Sequence, residues 1–222
     1  MKKKILVLVT QSFGELDVLF PIFSKLSTKE DVDIELVFTV NAIYEKFKQN
    51  DFYQFFVGKY KIKSSLFIFY KFIKLNDLSL VEKGIGGFKN SIIFLINMFK
   101  TALLLQKITL NRYYMHESTN QLTSTWILYL FNYLFKKKII VYHHGHSINI
   151  YVPLDLAIKK SKYAGNVKML AFHKDTTEHW SSKGFENQHI IGYPKFYPEW
   201  KELNKNYAKK TEIKSKFVLI YS

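Results

Sequence analysis

Short apolar runs alternate along this chain with longer stretches in which apolar positions recur every three or four residues. That alternation predicts strands separated by helices. Ile5 to Val9 is an unbroken apolar run, read as a strand buried on both faces. The polar loop Thr10 to Gly14 follows, and Leu16, Leu19, Phe20, Phe23 and Leu26 then mark one side of a helix. Val32 to Val40 alternates and reads as a second strand. Strand, loop, helix, strand is a βαβ unit, which implies a parallel sheet with a right-handed crossover.

Ala42 to Asn50 is predicted as a helix, whereas Asp51 to Lys74, rich in aromatics and lysine, is assigned no single element. The aromatics from Phe52 onward read either as core or as a belt lying on a membrane. The stretch GIGGFKN, Gly84 to Asn90, predicts a flexible turn leading into a helix over Ser91 to Gln106. Ile92 to Leu105 is the most apolar segment, but Asn97 and Lys100 interrupt it. It falls short of the ~20 residues of a membrane span, so a buried or interfacial helix is expected. Ile108 to Met115 predicts a strand ending in His116 and Glu117, and Ser118, Thr119 or Asn120 could cap a helix running to Phe135.

Ile139 to Tyr142 is the next strand. A helix over Asp155 to Tyr163 and a strand over Val167 to Phe172, ending at His173, come after it. A further helix, capped within Asp175 to Thr177, runs through Lys183 and stops at Gly184. His189 to Ile191, a helix over Trp200 to Lys209, and a strand over Phe217 to Tyr221 complete the pattern. The fold class expected is α/β, a Rossmann-like doubly wound parallel sheet. The lone strand after a charged segment predicts a first domain over residues 1–205, then a linker and the opening strand of a second domain over 206–222.

Composition narrows the partners. With 48% apolar residues in a chain of 222, a packed core is well supplied. Cysteine is absent, which excludes disulfides and thiolate chemistry. The net charge is +15, yet of 33 basic residues only Arg112 is an arginine and the lysines are spread along the chain. Specific nucleic-acid recognition favours arginine forks, so it is not expected. Loose attraction to anionic lipid fits better, at about 1 kcal/mol per lysine near a charged bilayer. The apolar run in MKKKILVLVT is shorter than the about 7–15 residues of a signal peptide's core, and no secretory signal is read. The expected location is the cytoplasm, with peripheral association at the inner face of the plasma membrane.

Candidate chemistry concentrates after the strand Ile139 to Tyr142, where His143, His144, Gly145, His146 and Ser147 follow one another. Open α/β sheets bind ligands outside the carboxyl ends of their strands, and imidazole exchanges protons near neutral pH. His144 is the candidate general base; the alternative is a histidine hydrogen-bonded at a strand end for structure. His143 has the opposite parity, and His146 could hold the base, the acceptor or a phosphate. Glu117 either orients the imidazole or complements the dipole of the next helix. Ser12 to Glu15 (SFGE) is a second candidate: Gly14 permits close backbone approach, Ser12 sits beside it, and the helix start offers amides to an anion. Glu15 is the rival base, and Asp17 is the weaker of the two. Without a GxGxxG pattern a dinucleotide site is not expected. His144-x-His146 with Glu117 or His173 also has the chemistry of a divalent-metal site, but the pair alone does not define one.

The series KKKILVLVTQSFGELDVLFPIFSKL, VYHHGHSI and AFHKDTTEHWSSKGFENQHIIGYPKF resembles the amino-terminal domain of GT-B fold glycosyltransferases of bacterial surface-polysaccharide synthesis. It is nearest to the CDP-glycerol glycerophosphotransferase-like and capsule-type group, over residues 1–205 in layout. His144-Gly145 matches the family's His-Gly, whose histidine is implied to deprotonate the acceptor hydroxyl. The family continues with Thr-Pro and a lysine, where this chain has His146 and Ser147. The segment from Lys183 to Pro194 is similar to the family's turn before the interdomain linker. The resemblance implies a nucleotide-sugar donor as co-substrate, no bound cofactor or metal, and a glycan or lipid-linked acceptor. Donor-binding residues would lie in a carboxyl-terminal domain. A UDP-sugar 2-epimerase of the same fold and a non-catalytic glycan- or partner-binding module are the alternatives.

Overall fold

The computed structural model describes residues 3–10, 13–29, 31–68, 80–111, 113–117, 139–142, 167–182 and 184–210. The first strand, β1 (Lys3–Val9), lies beside β2 (Val32–Phe38), joined to it through the helix α1 (Phe13–Lys29). Two short helices, α2 (Asn41–Gln49) and α3 (Asp51–Tyr60), lead to β3 (Lys63–Leu66). A long helix, α4 (Leu80–Leu110), precedes β4 (Tyr113–Glu117). Then come β5 (Ile139–Tyr142), β6 (Lys168–Ala171), α5 (Asp175–Ser182) and β7 (Asn187–Ile190). A 3-10 turn at Pro194–Phe196 and the helix α6 (Pro198–Lys210) finish the described chain.

All seven strands pair in parallel in the order β3-β2-β1-β4-β5-β6-β7. The sheet is therefore doubly wound: from β1 the chain steps outward to β2 and β3, and from β4 outward the other way. Right-handed crossovers in opposite directions put their helices on opposite faces. Alternation along β1 serves both. Ile5, Val7 and Val9 pack with Leu16, Leu19, Phe20 and Phe23 of α1, while Leu6 and Leu8 pack with Leu104 and Ile108 of α4. The unbroken apolar run of β1 reflects burial on both sides.

The aromatics of Asp51 to Lys74, as far as residue 68, are core. Phe56 stacks on Phe20 with ring centroids 4.2 Å apart, and Tyr53 meets Phe20 edge-on. Phe52, Phe55 and Phe56 also pack against Trp200 and Tyr207, so α6 closes over α1 and α3. The Asn50 side chain caps α3 by accepting from the Tyr53 amide at 3.0 Å.

Two expectations are corrected. The GIGGFKN stretch is not a turn: Gly84 to Asn90 lies inside α4. Each glycine costs about 1 kcal/mol in a helix, but this penalty is a weak prior when apolar residues of helical spacing continue on both sides. The strand predicted from Ile108 begins only at Tyr113, because Ile108 to Leu110 still belong to α4. The helix ends at Asn111, whose amide donates to the Ile108 carbonyl and whose side chain donates to the Lys107 carbonyl. The helices expected after Glu117 and over Asp155 to Tyr163, the strand Phe217 to Tyr221, and residues 211–222 of the expected second segment lie outside the described residues.

Candidate functional site

The sheet order reverses direction between β1 and β4, and the crevice at their carboxyl ends is where such sheets take ligands. Three described segments meet there. From β1 come Thr10 and, after the loop, Gly14 and Glu15 in the first turn of α1. From β4 come His116 and Glu117, with Glu117 in register opposite Tyr142, the last residue of β5.

Glu15 ties these ends together. It has no solvent exposure. Its Oε1 accepts from the Thr10 amide at 3.0 Å, and its Oε2 accepts from the Tyr142 hydroxyl at 3.2 Å. A buried carboxylate needs such donors, and a helix start offers it a favourable dipole. One side chain thus fixes the β1–α1 loop to the end of β5. Tyr142 is also fully enclosed. The nearby Tyr114 has its phenol pushed well above the ordinary tyrosine value, first by burial and then by the charge of Glu15. Beside the same loop the Thr10 hydroxyl is buried and, among the described residues, has no hydrogen-bond partner. Asp17, two residues along, is exposed and accepts from the Tyr53 hydroxyl at 3.1 Å.

Of the residues singled out from the sequence, Glu15 and Gly14 stand at the β1 edge, and Glu117 is aligned beside them at the end of β4. His173 follows β6, exposed, with its ring 6.3 Å from Tyr193. Ser12, His143, His144, Gly145, His146 and Ser147 lie outside the described residues. Sequence reasoning missed Tyr142 as a partner of Glu15. The only signal was a hydroxyl-bearing residue closing an otherwise aliphatic strand. Among the described residues no group of three His, Asp or Glu side chains is gathered as metal ligands would be. A cavity of about 520 Å³ lies along the α1 side of the sheet, lined by Lys3 and Ile5 of β1, by Lys25 and Leu26 of α1, and by Ile190 and Ile191 at the end of β7. Thr10, Glu15 and Tyr142 do not line it.

No family model and no curated relative matches the sequence. Solved structures do match in fold. UGT73P12 of Glycyrrhiza uralensis, complexed with glycyrrhetinic acid 3-O-monoglucuronide, superposes with a TM-score of 0.56 at 12% identity, over 95% of this chain and 51% of its own. The UDP-GlcNAc 2-epimerase of Neisseria meningitidis, bound to UDP-GlcNAc, gives 0.52 at 15% identity, over 95% and 52%. The fold is thus the Rossmann-like α/β sheet found in GT-B structures. The chain spans about half the length of the solved structures it matches.

Proposed function

We propose that the chain is the acceptor-side half of a glycosyltransferase that moves a sugar from a nucleotide-sugar donor to a hydroxyl of a surface glycan. One observation carries the reading: β5, next but one to β1 across the switch point, ends at Tyr142 at the edge where such sheets take ligands, and in the sequence His143, His144, Gly145 and His146 come directly after it. The likeness to a structure holding UDP-GlcNAc supports sugar nucleotides as the donor class, and the likeness to one holding a glucuronide supports a glycoside on the acceptor side. The His144-Gly145 match supports the capsule-type, CDP-glycerol glycerophosphotransferase-like group.

In this reaction His144 takes the proton of the acceptor hydroxyl as its oxygen bonds to the anomeric carbon. The bond from that carbon to the donor phosphate breaks, and the nucleotide leaves. Glu117 orients the imidazole. Glu15 is a positioning residue that acts through Thr10 and Tyr142. Ser12, Gly14, His143, Gly145, His146, Ser147 and His173 line the acceptor side. The reading needs no resident cofactor.

The test uses the protein purified from the cells that make it, with labelled UDP-sugars and glycan fragments. Transfer is expected, and His144→Ala is expected to lower kcat by ~10²–10⁴-fold with circular dichroism unchanged. Unchanged turnover removes His144 from the mechanism. Conversion of UDP-GlcNAc to its epimer without acceptor supports the 2-epimerase reading, favoured by the Neisseria likeness. Glycan binding without any nucleotide binding supports a binding module.

A further inference from the structure

The long helix α4 is turned inside out for a helix in water. A surface helix ordinarily directs apolar residues inward and polar ones outward. In α4 the inward side holds Asn90, Asn97 and Thr101 beside the core residues Leu104 and Ile108. The outward side holds Ile85, Phe88, Ile92, Leu95, Phe99 and Leu103, with Phe88 70% and Phe99 66% exposed. Ile85–Ile108 is 24 residues long and apolar enough to cross a membrane, yet only 11% of its 18-residue apolar stretch is buried.

The breadth of the exposed arc identifies what covers it. A second copy packed as a coiled coil needs only a narrow seam of two positions per heptad. Here Phe94, Ile96 and Met98 are exposed as well, so the apolar arc wraps roughly 200° of the helix at 3.6 residues per turn. That is a surface for a fluid apolar medium. Lys89, Lys100 and Lys107 fall in one row along an edge of the arc, on a chain of net charge +15. Lys100 and Lys107 of that row are held by the protein itself, so the attraction to anionic headgroups falls to the exposed Lys89 and to the net charge. The helix does not cross the bilayer. Its last turns are held by Leu104 and Ile108 in the core and by the Lys107–Glu35 ion pair, and the Lys100 ammonium donates to the Ile68 carbonyl at 2.7 Å.

We propose that the outward side of α4 is a membrane-docking surface that lies in the headgroup and upper acyl region of an anionic bilayer. This requires neither donor nor acceptor and stands apart from the transferase reading. The experiment is flotation of the intact protein with vesicles of phosphatidylglycerol and phosphatidylcholine, or of phosphatidylcholine alone, with sedimentation equilibrium in parallel. Co-flotation is expected with the anionic vesicles, weaker without phosphatidylglycerol and weaker in high salt. Phe88→Glu with Phe99→Glu is expected to lower the vesicle-bound fraction by about tenfold or more, with circular dichroism unchanged. Wild-type protein that does not float, or a double variant that floats equally, overturns the proposal. A dimer dissolved by the same substitutions, with no vesicle binding, overturns it in favour of a second copy.

Discussion

Glu15 shows how one buried charge can organise a loop. Its carboxylate is out of water, so the Thr10 amide and the Tyr142 hydroxyl are what keep it there. Tyr142→Phe is expected to destabilise the fold by about 1.5–3 kcal/mol, the range for a hydrogen bond to a charged group. Glu15→Gln keeps the shape but offers the Thr10 amide and the Tyr142 hydroxyl only one oxygen between them. The two losses are expected to be less than additive in a double-mutant cycle followed by urea unfolding, because both weaken the same charged contact between side chains 15 and 142. Tyr114 sets a second test, in pH. Its phenol is raised by burial and by Glu15, so the folded state keeps a proton that the unfolded chain releases near about pH 10. Above that pH the unfolded state binds fewer protons and is favoured. The stability linked to this group is full below about pH 10 and is lost as pH rises further. Tyr114→Phe is expected to flatten the alkaline fall of the thermal midpoint, measured between about pH 9 and pH 11.

At the scale of elements, α4 is where burial and composition part company. Leu104 is almost fully buried and Leu95 is 63% exposed, although both are leucines of one apolar helix. Leu104→Ala is expected to cost about 2–5 kcal/mol, and Leu95→Ala to stay within about 0.5 kcal/mol, by chemical denaturation. The contrast explains what could be read from the residues alone. Ile5 to Val9 and Ile139 to Tyr142 were legible as strands because an apolar run that short fits a strand covered on both faces. Asp175 to Ser182 was legible from Gly184, whose φ of 94° ends the helix, whereas the cap candidates Asp175, Thr176 and Thr177 stand inside its first turn and Lys174 precedes it. The glycines at 84, 86 and 87 misled, because local propensity there opposes the helix that its neighbours continue. The side to which α4 turns its apolar residues was not legible, since a periodic pattern gives a stripe but not its direction. Of the candidate site, the edge of the sheet could be read from the strand ends. The Glu15–Tyr142 link could not, because it joins residues 127 apart that only the parallel pairing of β1, β4 and β5 brings together.

Across the whole molecule, the sheet is strong at its centre and weak at one margin. β1 and β2 are largely buried and fully paired, whereas β7 is an edge strand with three of its four residues exposed. Native-state hydrogen exchange is expected to find the slowest amides in β1 and β2 and the fastest strand amides in β7. The strand order has a further effect. Ile5 pairs with Ile34 on one side but with Tyr113 on the other. On the ribosome the unit β1-α1-β2 can therefore assemble early, through contacts close in sequence. The second margin of β1 then waits for roughly 80 more residues, about 4–16 seconds of synthesis. During that interval Leu6 and Leu8 lack their cover, and β1 presents a free ladder to any passing strand. The central strand of the finished protein is, for those seconds, its most exposed edge and the natural place for a chaperone to act.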